Sequence, residues 1–144
     1  KNKVGSLFKI KDPKEIEDLK HATDLVAQYK YNKQIFLRVS LRSRSVSFDK
    51  FKDITIRSEV ESGKTEIDKI REGFSDLYVY GWEEGKDWII FDVNGLRKYK
   101  LLDIDRKEVS SSNNKFISIK VHELYYHSLI IDSSKAVKKY LDTL

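Results

Sequence analysis

The sequence contains 144 residues, of which 40% are hydrophobic and 35% are charged, and its net charge is +5. This balance excludes an intrinsically disordered chain, and the length predicts a single domain over residues 1–144. Without Cys the chain forms neither disulfides nor cysteine zinc sites, and its apolar runs are too short to cross a membrane. The first residues also lack the apolar segment of a signal peptide, so we expect an intracellular, cytoplasmic protein that does not contact a membrane.

The first half of the chain predicts one helix followed by three strands. Asp12-Pro13 has the form of a helix start, with Asp as the N-cap and Pro at the first helical position, and this helix extends to about His21. Alternation of apolar and polar residues then predicts three strands, with a polar loop before the third. The strands are Asp24–Tyr29, Gln34–Arg44 and Asp53–Glu61, and the loop is Ser43–Lys52.

The second half predicts a mixture of helices and strands. Thr65 with Asp68 three residues later resembles a capping box, and Gly73 is typical of a helix end, so we expect a helix over Glu66–Glu72. The other predicted elements are strands Asp76–Trp82, Asp87–Val93 and Phe116–Val121, a short helix after Asn94-Gly95, an exposed loop Lys107–Lys115, a helical turn His122–Tyr126, a strand piece Ser128–Ile131 and a final helix to about Thr143. This order predicts an α/β (α+β) fold, in which helices flank a single mixed β-sheet.

One basic stretch, Lys30–Arg57, concentrates the positive charge. It carries eight Lys/Arg and two acidic residues, a net charge of +6, whereas the whole chain carries +5. Because strand side chains alternate, Arg38, Arg42 and Arg44 fall on one face of the predicted strand Gln34–Arg44, and such a face suits phosphate groups. We therefore predict that the nucleic-acid-binding residues are Arg38, Arg42, Arg44, Arg57 and Lys64. The alternative is a solvated outer face of an edge strand, where charge blocks unwanted pairing.

Three aromatic residues, Tyr78, Tyr80 and Trp82, share one face of the predicted strand Asp76–Trp82. Beside a cationic strand they could stack on unpaired bases. Aromatic side chains more often fill protein cores, so we favour the interpretation that this face packs under a helix.

The order helix, three strands, helix, strand resembles the αβββαβ core of the PD-(D/E)XK nuclease superfamily. The stretch from Thr55 to Gly81, with Gly63-Lys64-Thr65-Glu66-Ile67-Asp68-Lys69-Ile70 at its centre, is also similar to small phage-type proteins placed near that superfamily. The resemblance implies a Mg²⁺ ion held by an acid that opens a core strand. Asp24 matches that acid, because it begins the predicted strand Asp24–Tyr29. On the next strand the superfamily has an acid-x-lysine motif, and this chain has Arg38-Val39-Ser40 instead.

The predicted helix Glu66–Glu72 offers a second acid and a lysine. Glu66 and Lys69 are three residues apart and share a helical face, so we predict a catalytic set of Asp24, Glu66 and Lys69. Asp24 and Glu66 would hold Mg²⁺, with Glu59 as a further candidate ligand, and Lys69 would orient the nucleophile. The alternatives are an ordinary Glu66–Lys69 surface pair, and a Glu59 that pairs with arginines across the sheet.

Two functions from different classes follow from these observations. The first is a nucleic-acid-binding protein, with DNA as the expected partner and a nuclease-like core, acting as a divergent Mg²⁺-dependent DNase or as a catalytically silent relative. The second is a phage-like accessory or inhibitor protein that binds an acidic protein surface, active in an infected bacterial host, which needs no catalytic residues. A third interpretation is a structural subunit that forms homodimer contacts through its Tyr-rich strands.

Overall fold

The computed structural model describes residues 8–11, 25–29, 31–32, 34, 36–59, 65–73, 75–103, 108–111 and 114–144. Within these ranges the chain forms nine strands and five short helices. The strands are β1 (Phe8–Lys11), β2 (Leu25–Tyr29), β3 (Phe36–Arg44), β4 (Asp53–Glu59), β5 (Leu77–Trp82), β6 (Asp87–Asp92), β7 (Glu108–Ser111), β8 (Asn114–Lys120) and β9 (Ile130–Ser133). The helices are α1 (Phe48–Phe51), α2 (Glu66–Arg71), α3 (Asn94–Lys98), α4 (Val121–Tyr126) and α5 (Lys135–Leu141).

Six strands form one mixed sheet in the order β1-β2-β3-β5-β6-β9. β3 and β5 are its parallel pair, aligned from Val39 opposite Leu77 to Arg44 opposite Trp82, and the other neighbours are antiparallel. Parallel neighbours need a long crossover connection, and here α1, β4 and α2 supply it. The mixed α+β class predicted from the sequence is confirmed.

A second sheet of three strands, in the order β4-β8-β7, stands beside the first. The prediction of a single sheet differs from this arrangement, because β4 does not continue the meander of β2 and β3. Instead β4 pairs with β8, which places Ile54 opposite Ile119 and Ile56 opposite Ile117, and all four side chains are buried. This pairing joins segments about sixty residues apart in the sequence. The local sequence pattern around β4 therefore does not predict it.

Local signals at helix ends are largely confirmed. The Thr65 side chain accepts the Asp68 N–H while the Asp68 carboxylate accepts the Thr65 N–H, which completes the capping box of α2. Gly73 has φ +79°, the left-handed conformation expected after a helix. The helix predicted from Asp12 to His21 lies outside the described residues.

Two predicted loops contain regular structure. The segment Ser43–Lys52 includes α1, because Phe48 inserts into the core and meets the ring of Trp82 at 5.0 Å and that of Tyr140 at 5.6 Å. The segment Lys107–Lys115 includes β7 and the start of β8, which pair as an antiparallel hairpin. Its polar composition lacks the apolar alternation by which strands are predicted, so the sequence pattern did not indicate the hairpin.

The aromatic face of β5 belongs to the core, as the second interpretation predicted. Tyr78, Tyr80 and Trp82 are almost fully buried, and Tyr80 and Trp82 have ring centroids 5.1 Å apart. Residues of both sheets and of the helices share this core. These three side chains are therefore not a platform for bases.

We predict that Phe48→Ala lowers the free energy of unfolding by about 3–5 kcal/mol, because it leaves a cavity between Trp82 and Tyr140. Phe51→Ala is the matched control on the same helix, since Phe51 is 41% exposed. The control should cost less than about 1 kcal/mol. Chemical denaturation measures both values, and equal losses would contradict the buried position of Phe48.

Candidate nucleic-acid interface

The three arginines of β3 share one side of the sheet, as the alternation predicts. The parallel register places Ser40, Arg42 and Arg44 beside Tyr78, Tyr80 and Trp82 of β5. The guanidinium of Arg42 also lies 5.6 Å from the centroid of the Tyr78 ring. The arginine face is therefore the side of the sheet that faces the core and β4, rather than an outer surface.

Each of these arginines pairs with a carboxylate. Arg38 donates from Nε and Nη2 to the two oxygens of Asp76, at 3.3 and 3.2 Å, and its backbone N–H donates to the same carboxylate. Arg42 pairs with Glu66, and Arg44 pairs with Asp53. The three arginine side chains keep 19–32% of their exposure. Much of the charge that the sequence offers to phosphate is thus neutralised within the protein.

Glu66 connects four elements. Its Oε2 accepts the Arg42 Nε–H and, at 3.0 Å, the Tyr78 hydroxyl, while Oε1 accepts the Arg57 N–H at 3.0 Å. The capping box of α2 holds the backbone of Glu66 in this position. A carboxylate that is 11% exposed needs such donors, because burying an unpaired charge is costly. The three bonds join α2 to β3, β4 and β5.

The predicted catalytic set is only partly described. Lys69 lies on the same helix as Glu66 and is half-buried. Asp24, Lys64 and the side chain of Glu59 lie outside the described residues, so the meeting of Asp24 with Glu66 stays a prediction.

The described part of the site does not fit a Mg²⁺ ion. No group of three or more His, Asp or Glu side chains within the described ranges is arranged to hold a metal. Glu66, the described member of the predicted ligand set, already accepts three hydrogen bonds, one of them from a guanidinium. A neighbouring guanidinium opposes a divalent cation. Mg²⁺ binding therefore stays a prediction that depends on Asp24.

Tyr80, next to these ion pairs on β5, has a pKa that the fold shifts. Burial raises the pKa of its hydroxyl above the ordinary value of 10.0, although hydrogen bonds with Thr55 act in the opposite direction. The hydroxyl accepts the Thr55 N–H at 3.1 Å and shares a 2.9 Å hydrogen bond with the Thr55 hydroxyl. A neutral Tyr80 thus links β5 to β4 at neutral pH.

A second cationic surface surrounds Phe51. The ring of Phe51 lies 5.0 Å from the guanidinium of Arg44 and 5.3 Å from the ammonium of Lys50. Lys120 Nζ donates to the Phe51 carbonyl at 2.8 Å, and Lys52 Nζ lies 5.7 Å from the Tyr140 ring. We name this set the Phe51 surface; its members are Arg44, Lys50, Phe51, Lys52, Lys120 and Tyr140.

The fold assembles the Phe51 surface from distant segments. Lys52 adopts φ 50° at the end of α1 and turns the chain into β4, and its carbonyl accepts the Val121 N–H at 2.9 Å. That bond places the start of α4, and with it Lys120, beside α1. The adjoining helix α5 exposes three more lysines, at positions 135, 138 and 139. Lys50 and Lys52 belong to the basic stretch found in the sequence, whereas Lys120 and the α5 lysines do not.

The acidic residues near the Phe51 surface leave it positive. Asp53 is buried and is engaged by Arg44 and by the Ser118 hydroxyl. Glu123 accepts the Lys120 N–H at 3.0 Å, and Asp49 is exposed.

Arg57 is the remaining predicted nucleic-acid contact on β4. Its side chain is exposed, and its guanidinium lies 5.6 Å from the centroid of the Phe116 ring.

Comparisons of this chain with known protein families, with curated proteins and with solved structures find no match. Within the described ranges, no helix has both the length and the apolar character needed to cross a membrane.

We predict that Glu66→Gln lowers the free energy of unfolding by about 1–3 kcal/mol, because the new amide NH₂ must face a donor that the carboxylate accepted. Glu84→Gln removes the same charge in the turn between β5 and β6, where the side chain is exposed. The control should change stability by less than about 0.5 kcal/mol. Urea titration of both variants tests this, and similar losses would contradict the central position of Glu66.

Proposed function

We propose that this protein binds nucleic acid, and that the phosphate backbone contacts the Phe51 surface. The observation that carries the proposal is the convergence of Lys50, Lys52 and Lys120 from two separate segments beside the exposed ring of Phe51. Lysine ammonium groups on a surface neutralise phosphates without a fixed geometry, as sequence-independent binding requires.

The internal contacts of these lysines also support phosphate binding. Lys52 Nζ donates to the Asp49 carbonyl at 3.1 Å, and Lys120 Nζ donates to the Phe51 carbonyl at 2.8 Å. Each ammonium has three donors, so each can reach a phosphate oxygen without giving up its carbonyl. Positioning of the charges before binding reduces the entropy lost on association.

Arg38 and Arg42 of β3 are less important for phosphate binding in this proposal than the lysines of the Phe51 surface. Arg38 and Arg42 are about a third exposed, and their carboxylate partners compete with phosphate. Because each is paired with a carboxylate, they add little to the positive potential, and they make no direct contact with phosphate in this proposal. Arg57 is exposed and extends the cationic region along β4.

We predict that affinity for DNA and RNA oligonucleotides falls steeply with salt, and that Lys50→Gln/Lys120→Gln reduces the slope of log affinity against log salt by about two for duplex DNA. The matched control is Arg71→Gln/Lys86→Gln, which removes two exposed charges elsewhere. Fluorescence anisotropy over a salt series measures both. The control should keep the parental slope.

A flat salt dependence, or equal losses in the two double variants, would contradict the proposal. The alternative function, binding to an acidic protein surface, predicts a different result. It is favoured if a purified partner protein is retained while no oligonucleotide binds. Lys50 and Lys120 are both exposed and glutamine keeps a polar side chain there, so the variants test charge rather than folding.

Cleavage by Mg²⁺ held at Asp24 and Glu66 is a separate hypothesis. Because Glu66 is already engaged by Arg42, Tyr78 and Arg57, we expect binding without metal-dependent cutting. Incubation of single-stranded, duplex and branched DNA with Mg²⁺ or Mn²⁺ tests this expectation, with Asp24→Ala as the control. Cutting that requires metal and disappears in Asp24→Ala would show that the protein is a nuclease and that our expectation is wrong.

A further inference from the structure

A surface cavity of about 410 Å³ lies beside the end of α4, lined by Tyr125, Tyr126, Ser128 and Ile130. Ser128 adopts φ 57° and reverses the chain from α4 toward β9, which opens this space. The volume is within the range of small-molecule sites, about 300–1,000 Å³. None of the four lining side chains carries a charge.

Two large aromatic side chains remain exposed at this cavity. Tyr125 is 41% exposed and Tyr126 is 65% exposed, whereas Val121 and Leu124 form the buried face of α4. Full burial of a large apolar side chain is worth about 1.5–3 kcal/mol, so neighbouring exposed rings suggest a binding role rather than a packing role.

A second aromatic pair extends the region. The rings of Tyr99 and His127 are stacked, with centroids 4.5 Å apart and an angle of 25° between their planes. The rings of Tyr125 and Tyr126 have centroids 6.2 Å apart. We name this set the aromatic surface; its members are Tyr99, Tyr125, Tyr126 and His127.

Positive charge borders the aromatic surface. Lys98 and Lys100 are exposed on either side of Tyr99, and Lys98 Nζ lies 5.3 Å from the Tyr99 ring. Lys120 of the Phe51 surface immediately precedes α4, and Tyr125 and Tyr126 end it. Six residues of helix span about 9 Å, so Lys120 and these two tyrosines stand at opposite ends of one short helix.

We infer that the aromatic surface takes unpaired bases of single-stranded nucleic acid, with Tyr125 and Tyr126 as stacking partners and Lys98 and Lys100 beside the phosphates. This inference rests on the proposed binding of the backbone at the Phe51 surface, and it adds the substrate class. Bases in a duplex already stack on both faces, so exposed rings beside lysines favour single strands. The adjoining lysines favour a polyanion over an apolar protein partner.

The test compares a single-stranded oligonucleotide with a duplex of the same length by fluorescence anisotropy. We expect Tyr125→Ala/Tyr126→Ala to weaken single-strand binding by about tenfold or more, while duplex binding changes less than about twofold. Tyr125→Phe/Tyr126→Phe keeps both rings and should retain single-strand binding. Tyr31→Ala is the control, since Tyr31 is 77% exposed in the turn between β2 and β3.

The outcomes separate this inference from the proposed function. If Lys50→Gln/Lys120→Gln weakens binding but Tyr125→Ala/Tyr126→Ala does not, the inference is wrong and the proposed function stands. If no oligonucleotide binds the parent protein, the proposed function and the inference both fail. Equal losses for single strands and duplexes in the alanine variant also overturn the inference.

Two further measurements test the lysines beside the rings and self-association. Lys98→Gln/Lys100→Gln leaves the aromatic rings in place, and it should reduce the salt dependence of single-strand binding. Sedimentation of the alanine variant tests self-association through the aromatic surface. A change from dimer to monomer with unchanged single-strand affinity would assign the aromatic surface to self-association and overturn the inference.

Discussion

The hydrogen bonds of Glu66 connect the two sheets of this protein. This carboxylate accepts donors from β3, β4 and β5 while it stands at the start of α2. Parallel links support the same junction, because Asp53 of β4 pairs with Arg44 and its carbonyl accepts the Trp82 indole N–H at 3.0 Å. Carboxylates and guanidiniums can be taken from water only in such paired arrangements, so the position of β4 against β3 and β5 depends on them.

The ion pairs at this junction change which residues of the basic stretch we assign to phosphate binding. Its arginines mostly face inward and hold carboxylates, for which a planar guanidinium with several donors is well suited. The two lysines of the stretch that the structure describes, Lys50 and Lys52, lie at the end of a short helix where the chain returns to the surface. Among the described residues, the cations of the proposed binding surface are therefore mainly lysines from several segments, and this surface lies at the end of the arginine strand.

The aromatic residues likewise divide into a buried group on β5 and an exposed group on α4. Those of β5 alternate on a face covered by β4 and the helices, and they are buried. Those of α4 end a helix of six residues, whose buried face is already supplied by Val121 and Leu124. Tyrosine suits both environments, because its ring is apolar and its hydroxyl is polar. Tyr125 and Tyr126 are thus exposed because they end a short helix whose buried face other residues supply. Their exposure is the basis for proposing a contact with unpaired bases.

The sequence alone determined the local structure: the strands that alternate apolar and polar residues, the capping box of Thr65 and Asp68, the turn at Gly73 and the mixed fold class. It also placed the three arginines of β3 on one face. Only the tertiary structure decided that β4 pairs with β8, that a carboxylate meets each of those arginines, and that Lys120 joins Lys50 beside Phe51. The physical reason is that periodicity reports which side of a strand or helix a residue occupies. The partner of that side is chosen by packing and charge pairing between segments far apart in the chain.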